Sequence, residues 1–290
     1  MIRARALLVP LLWAAAASGM APGAKCATRG APMGPYHIPR GFSSDIVTVE
    51  CDDGYKLAGD WLRRARMPRK MPGVIFLHEA GKDRHAWYPI TLQSAGRGMA
   101  VLALDLRGSG ENPTATGNPT TKMADLTPED YARMLGDVRN AVAYLAIRNE
   151  IDGSHLALVG SGVGANLALM AAGESWAAAV TCAIALSPSL DDHGLKPLEA
   201  VKRIPKSCAV YLAAAKDDPE GWAALDAFAP LLKNHPEEFR VDAGGRGTAL
   251  FGRGLFQKLP GWLHQSVLLP SLAAQGIVPG AAPAQPARRK

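Results

Sequence analysis

Leu156-Ala157-Leu158-Val159-Gly160-Ser161-Gly162-Val163-Gly164-Ala165-Asn166 is the segment on which the architecture turns. An apolar run ends on a cluster of glycines, and Leu167-Ala168-Leu169-Met170 follow at once. A short run that is apolar throughout suits a strand buried on both faces. The glycines supply the backbone freedom for an abrupt turn into a helix.

The same character recurs on either side, at 73–78, 99–105, 178–186, 208–215 and 239–242. Nearer the amino terminus, runs at 46–49 and 55–62 flank Asp52-Asp53-Gly54, a hairpin signal. Thr127 is placed to cap a helix, with Pro128 in its first turn and Asp130 completing the start. Tyr131, Met134, Leu135, Val138, Val142 and Leu145 then share one face, and Trp222, Leu225, Phe228 and Leu232 stripe a second helix. Both stripes are expected to be core. Strands alternating with helices predict an α/β fold: a mostly parallel, doubly wound sheet with an N-terminal antiparallel hairpin. Chemistry in such a sheet sits in the loops at the carboxyl ends of the strands.

Composition narrows the classes further. The 290 residues are 48% hydrophobic and 20% charged, a globular balance that excludes a largely disordered chain. No run reaches the roughly 18 apolar residues of a spanning helix, which excludes a polytopic membrane protein. The net charge of +6 owes much to Arg3, Arg5, Arg288, Arg289 and Lys290 at the two ends. A nucleic-acid partner is therefore not expected.

The amino terminus reads as an address. Arg3 and Arg5 precede an apolar stretch at 6–17, and small residues follow through Ala21. That order predicts a secretory signal over 1–21 and an exported protein, periplasmic or extracellular, touching a membrane only if the signal stays uncleaved. Lys25 before Cys26 argues against a lipoprotein. A Pro/Gly-rich linker over 22–44, one domain over 45–272 and a low-complexity tail over 273–290 complete the expected organisation. Cys182 and Cys208 lie in apolar runs and are expected as buried thiols, while Cys26 and Cys51 are placed to bridge. No Cys or His spacing suits a metal, and no cofactor is expected.

Three loops carry the functional reading. Phe76-Leu77-His78-Glu79-Ala80-Gly81 and Asp105-Leu106-Arg107-Gly108-Ser109-Gly110 leave two strands, and the glycine turn at 160–164 leaves the next. In this ordered set the chain resembles the α/β-hydrolase family, near its dienelactone-hydrolase-like and bacterial esterase-like members, over most of 45–270. The resemblance implies a nucleophile at the centre of G-x-S-x-G, an acid, a histidine after the last strand and an oxyanion hole. It also implies a structural D-x-R-G-x-G turn at Asp105, Arg107 and Ser109.

The residues depart from that pattern. The nucleophile position is Gly162, with Ser161 just before it. The histidine position is Arg246, in Gly245-Arg246-Gly247-Thr248, and the acid is Asp218 or its neighbour Asp217. A guanidinium has no acceptor and a pKa above about 12, so it cannot take a proton from a hydroxyl. Glu79 and Val163 fall at the oxyanion hole, where an outward-pointing Glu79 would be needed to spare an oxyanion. An Arg246–Asp218 salt bridge is expected to fill the relay path. The short connection after Ser187-Pro188 leaves no room for a large lid, so the pocket is expected to be open.

These departures predict a protein that has lost serine-hydrolase chemistry and binds a small ligand or a protein partner in the old pocket. One alternative is an ester or lactone hydrolase in which Ser161 attacks and His193 or His264 is the base, His78 instead orienting the oxyanion loop. Another is a dinucleotide-binding protein. Residues 160–165 match G-x-G-x-x-G/A, and Asp191 or Asp192 would meet the ribose. The cluster Arg63, Arg64, Arg66, Arg69 and Lys70 reads as a solvated connection or an anionic contact.

Overall fold

The computed structural model describes residues 38–66, 69–112, 118–119 and 121–277. The expected signal over 1–21, the tail from 278 onward and Cys26 lie outside the described residues. Eight strands form one sheet: β1 (Phe42–Glu50), β2 (Lys56–Arg64), β3 (Met71–Leu77), β4 (Ala100–Leu104), β5 (Ile151–Ser161), β6 (Val180–Leu186), β7 (Ala209–Ala215) and β8 (Glu237–Val241). Their order is β1-β2-β4-β3-β5-β6-β7-β8. β2 runs antiparallel to both β1 and β4, and every other pairing is parallel.

Helices cover both faces. α1 (Tyr88–Gly96), α6 (Leu255–Leu263) and α7 (Leu269–Ala274) pack on one side. α2 (Pro128–Ala146), α3 (Val163–Ala172), α4 (Leu198–Arg203) and α5 (Pro219–Phe228) pack on the other. Successive residues of one strand therefore enter opposite cores. Ile75 and Leu77 join the layer under α2 and α3, while Val74 and Phe76 join the layer under α1 and α6. This double burial is why the strands read as continuous apolar runs. Thr127 caps α2 as expected: its side chain accepts from Asp130 N–H, and the Asp130 carboxylate accepts from Thr127 N–H.

Four expectations are corrected. β1 begins at Phe42 rather than at 45, because Phe42 pairs with Arg64 and packs against the core, and α7 runs past 272 to Ala274. Trp222 is half-buried rather than core; Arg240 Cζ lies 4.8 Å and Lys216 Nζ 5.7 Å from its ring centroid. Arg63 and Arg64 belong to β2 rather than to a connection, and Arg63 pairs with Asp45 across the hairpin. Cys51, Cys182 and Cys208 are buried thiols.

Candidate functional site

β5 ends at Ser161, and α3 starts at Val163. Gly162 makes the turn between them with φ 54° and ψ −120°, a conformation strained for any residue with a side chain. Its N–H donates to Leu186 O of β6 at 3.0 Å, which holds the elbow at the centre of the sheet. A Cβ on Gly160 would collide with Gly164, and one on Gly164 with Leu77 O, so the flanking glycines permit a close seating of α3 on β3 and β5. The turn residue of the elbow is thus a glycine in a positive-φ conformation, and Ser161, at the end of β5, is the hydroxyl beside it.

Glu79 fills the space in front of it. A Cβ on Gly162 would lie 3.0 Å from Glu79 Cβ. The Glu79 carboxylate turns inward, contrary to the outward orientation that would spare an oxyanion. Its Oε1 accepts from Thr248 Oγ1 at 2.8 Å and pairs with Lys82 Nζ at 2.7 Å; Lys82 also donates to Thr248 Oγ1 at 2.7 Å. Its Oε2 faces Gly247, where an added Cβ would strike both Glu79 Oε2 and Ser161 Oγ. The Gly247 N–H donates to Ser187 Oγ at 2.8 Å, and Ser187 itself holds φ 51°. Glu79, Ser161, Ser187, Gly247 and Thr248 are all buried, so the space expected to be open is occupied by the chain's own groups. Two cavities of about 320 Å³ lie elsewhere, one around Arg64 and Arg97 and one around Tyr55 and Arg107.

The acid and base positions do not meet. Asp218 is buried as the N-cap of α5, accepting from Gly221 N at 3.3 Å, and its Oδ2 has no partner. Asp217 accepts from the backbone N–H groups of Gly244 and Gly245 at 3.0–3.2 Å and so ties down the loop after β8. Arg246 leaves the site: its Nη1 pairs with Glu220 at 2.6 Å and its Nη2 approaches Asp192 at 3.9 Å, with 41% of the side chain exposed. The expected Arg246–Asp218 salt bridge is therefore wrong. Asp218 is committed to the start of α5, and the long arginine chain reaches the solvated acid two residues further on. Burial alone would lower the Arg246 pKa. The Glu220 hydrogen bond and the charges of Asp218, Glu220 and Asp192 outweigh it and hold the guanidinium above its ordinary value.

Among the described residues, His78, His193 and His264 each make contacts other than with Ser161. Leu106 N–H donates to His78 Nε2 at 2.9 Å, so the proton sits on Nδ1, which donates to Glu79 O at 2.8 Å. Burial pushes the His78 pKa down, and the ring is a neutral brace between the loops after β3 and β4. His193 stacks on Tyr131 at 4.3 Å and binds Asp192 at 2.6 Å. His264 follows α6, in a segment leading to Ser271, which bonds Asp152 near the amino end of β5. Ser161 Oγ is buried without a hydrogen-bond partner. The glycine turn suits a dinucleotide no better, because Glu79 lies over Gly162 and would repel a pyrophosphate at the start of α3. Among the described residues no His, Cys, Asp or Glu grouping could hold a metal.

Three residues absent from the sequence reading matter here: Lys82, Ser187 as a hydrogen-bond acceptor, and Arg84. Lys82 had a signal, standing three residues after Glu79. Arg84 had none. It is buried and pairs with Asp60 at 3.1 Å, with Glu111 at 2.8 Å and with Asp105. Arg107 binds Asp137 through Nε at 3.0 Å and Nη2 at 2.6 Å, the structural role expected of its turn.

Known proteins share this architecture. The acetyl xylan esterase of Paenibacillus sp. R4 is 18% identical with a TM-score of 0.65, over 82% of this chain and 87% of that one. A dienelactone hydrolase of Anabaena variabilis is 16% identical with a TM-score of 0.61, over 79% and 100%. An esterase of Pyrococcus furiosus is 17% identical with a TM-score of 0.61, over 84% and 99%. At these identities the likeness establishes the fold. An uncharacterized protein of Mycobacterium tuberculosis (strain H37Rv) is 28% identical over 123 residues, 42% of this chain; the match spans 39% of that relative's length. The model of the alpha/beta hydrolase family matches residues 74–289, and with the sheet order and the elbow it places this chain in the α/β-hydrolase family.

Proposed function

We propose that this chain is an exported α/β-hydrolase-fold protein without serine-hydrolase chemistry, which binds a small ligand or a protein partner at its remodelled carboxyl edge. The observation that carries the reading is the elbow itself: Gly162 holds the attacking conformation with no side chain, under Glu79. Arg246 supports it independently, as a permanent cation turned toward Glu220. Losing one member of such a catalytic unit costs about three to six orders of magnitude in rate, and the losses act together. The exposed Arg246 and His193, with the largely buried Asp192 between them, form a charged rim on which a ligand or partner would bear. Export rests on the arginines and apolar stretch within 1–21.

Labelling of the purified chain with a fluorophosphonate, together with p-nitrophenyl ester turnover, tests the reading. The parent chain is expected to be inert in both. Brisk turnover abolished by Ser161→Ala would overturn it in favour of attack by Ser161. Restoration sharpens the point: Gly162→Ser needs Glu79→Gly to make room and Arg246→His to supply a base. Measurable ester hydrolysis is expected in the triple variant only.

A further inference from the structure

The cavity at the opposite edge of the sheet has a composition that the carboxyl edge lacks. It measures about 320 Å³ and is lined by Arg64, Arg66, Arg69 and Arg97 with Met71, Gly98 and Met99. Met71 opens β3, Met99 precedes β4 and Arg64 ends the antiparallel β2, so the cavity lies at the amino ends of the parallel strands. The seven residues of β3 separate it from Glu79, a span of about 23 Å at the usual rise per residue.

Nine other arginines of the described residues, including Arg84, Arg107 and Arg246, are paired with carboxylates, whereas none of the four in this cavity is. No Asp or Glu lines it. Two of the four are braced by backbone instead. Arg64 Nη2 donates to Gly96 O with its guanidinium 6.0 Å from the Phe42 ring centroid, and Arg97 Nη1 donates to Gln93 O at 3.4 Å. The floor is apolar: Met71 and Met99 are buried, and a Cβ on Gly98 would stand 2.8 Å from Met71 Cε. Convergent cations without an internal counter-ion repel one another and draw in a multivalent anion. Guanidinium forks match the paired oxygens of phosphate-type groups.

We propose that this cavity is an oxyanion-binding site, taking a phosphate-type group through Arg64, Arg66, Arg69 and Arg97, with Met71 and Met99 contacting whatever apolar part the ligand carries. The site is separate from the elbow, so it stands whether or not the chain retains hydrolase chemistry. Calorimetric titration of the full chain with inorganic pyrophosphate at low salt is the test. Saturable binding is expected, weakening steeply with added salt. Arg66→Ala with Arg97→Ala should reduce affinity at least tenfold. Arg203→Ala with Arg253→Ala, an equal loss of charge on other surfaces, should leave it within twofold. The mutated side chains are exposed, and a thermal melt confirms that each variant folds. Absence of saturable binding, or equal weakening in both variants, would overturn the proposal. A second arm uses vesicles of phosphatidylglycerol against phosphatidylcholine. Capture by the anionic vesicles that depends on Arg66 and Arg97 assigns the phosphate to a lipid head group; pyrophosphate binding without such capture assigns it to a soluble ligand.

Discussion

The loops after β3 and β4 bury charge next to the elbow, and the two places treat their polar groups differently. Beneath those loops Arg84 is surrounded by Asp60, Asp105 and Glu111, and Arg107 by Asp53 and Asp137. Each buried cation there has more than one acid in reach. At the elbow, Ser161 Oγ and Asp218 Oδ2 are buried without hydrogen-bond partners and Arg246 pairs at the surface; the Asp60 oxygens in the frame also lack a hydrogen bond, but Asp60 keeps the Arg84 guanidinium at 3.1 Å as its counter-charge. Scaffold charges must be matched, because a buried ion without a partner costs several kcal/mol. The contrast teaches that the charges of the frame and the groups at the elbow are held by different residues, so one set can change without the other.

The largest effect is expected where the matching is strictest. Arg84→Met strands Asp60 and Asp105 in the core and should cost about 3–5 kcal/mol in urea unfolding. Burial already raises the Asp60 pKa, against the pull of Arg84, and removing the arginine raises it further. A raised carboxyl pKa means stability lost as pH rises through it, so the deficit of the variant should widen from pH 5 to pH 7. A deficit that stays below 1 kcal/mol (about a fifth to a third of the expected cost) would break the comparison.

Next comes Gly162→Ala, which combines a positive φ with a Cβ 3.0 Å from Glu79 Cβ. It should cost about 1–3 kcal/mol. Adding Glu79→Ala should recover part of that, as a double-mutant cycle would read. No coupling between the two positions would mean that Glu79 does not fill the nucleophile's space.

The smallest effect belongs to Asp152, at the amino end of β5. Burial pushes its pKa up, but bonds from Ser271, the Ser154 N–H and His155 outweigh this and leave it below the ordinary value. A depressed carboxyl pKa contributes stability above its unfolded value of about 4 that is lost as pH falls through the folded one. Asp152→Asn should therefore show a small deficit at pH 7, where that contribution is fully present, and lose the deficit as pH falls, flattening the acid limb of the stability curve in thermal melts.

Much of the frame was legible because its causes are local. Runs such as Val74–Leu77 must be buried on both faces, and Thr127 with Asp130 must cap whatever helix follows Pro128. The elbow was legible for the same reason, since only glycine takes the turn at Gly162 without strain. What failed was geometry between distant residues. The Arg246–Asp218 pair was inferred from two positions that the family resemblance aligns with a relay, yet Asp218 caps α5 and Arg246 reaches Glu220. Glu79 was noticed, but its direction depends on Lys82 and Thr248, and Thr248 lies 169 residues away along the chain.

Local stereochemistry and hydrophobic order, both written in neighbouring residues, were enough to determine that this chain builds a hydrolase-type sheet with a glycine turn between β5 and α3. Where the charges go was decided only in the folded molecule. Ion pairs form between side chains brought together by packing, and a long arginine or glutamate takes whichever partner the tertiary arrangement puts within reach. That is why Arg84, with no local cue, anchors the frame, and why four unpaired arginines meet at the far edge of the sheet.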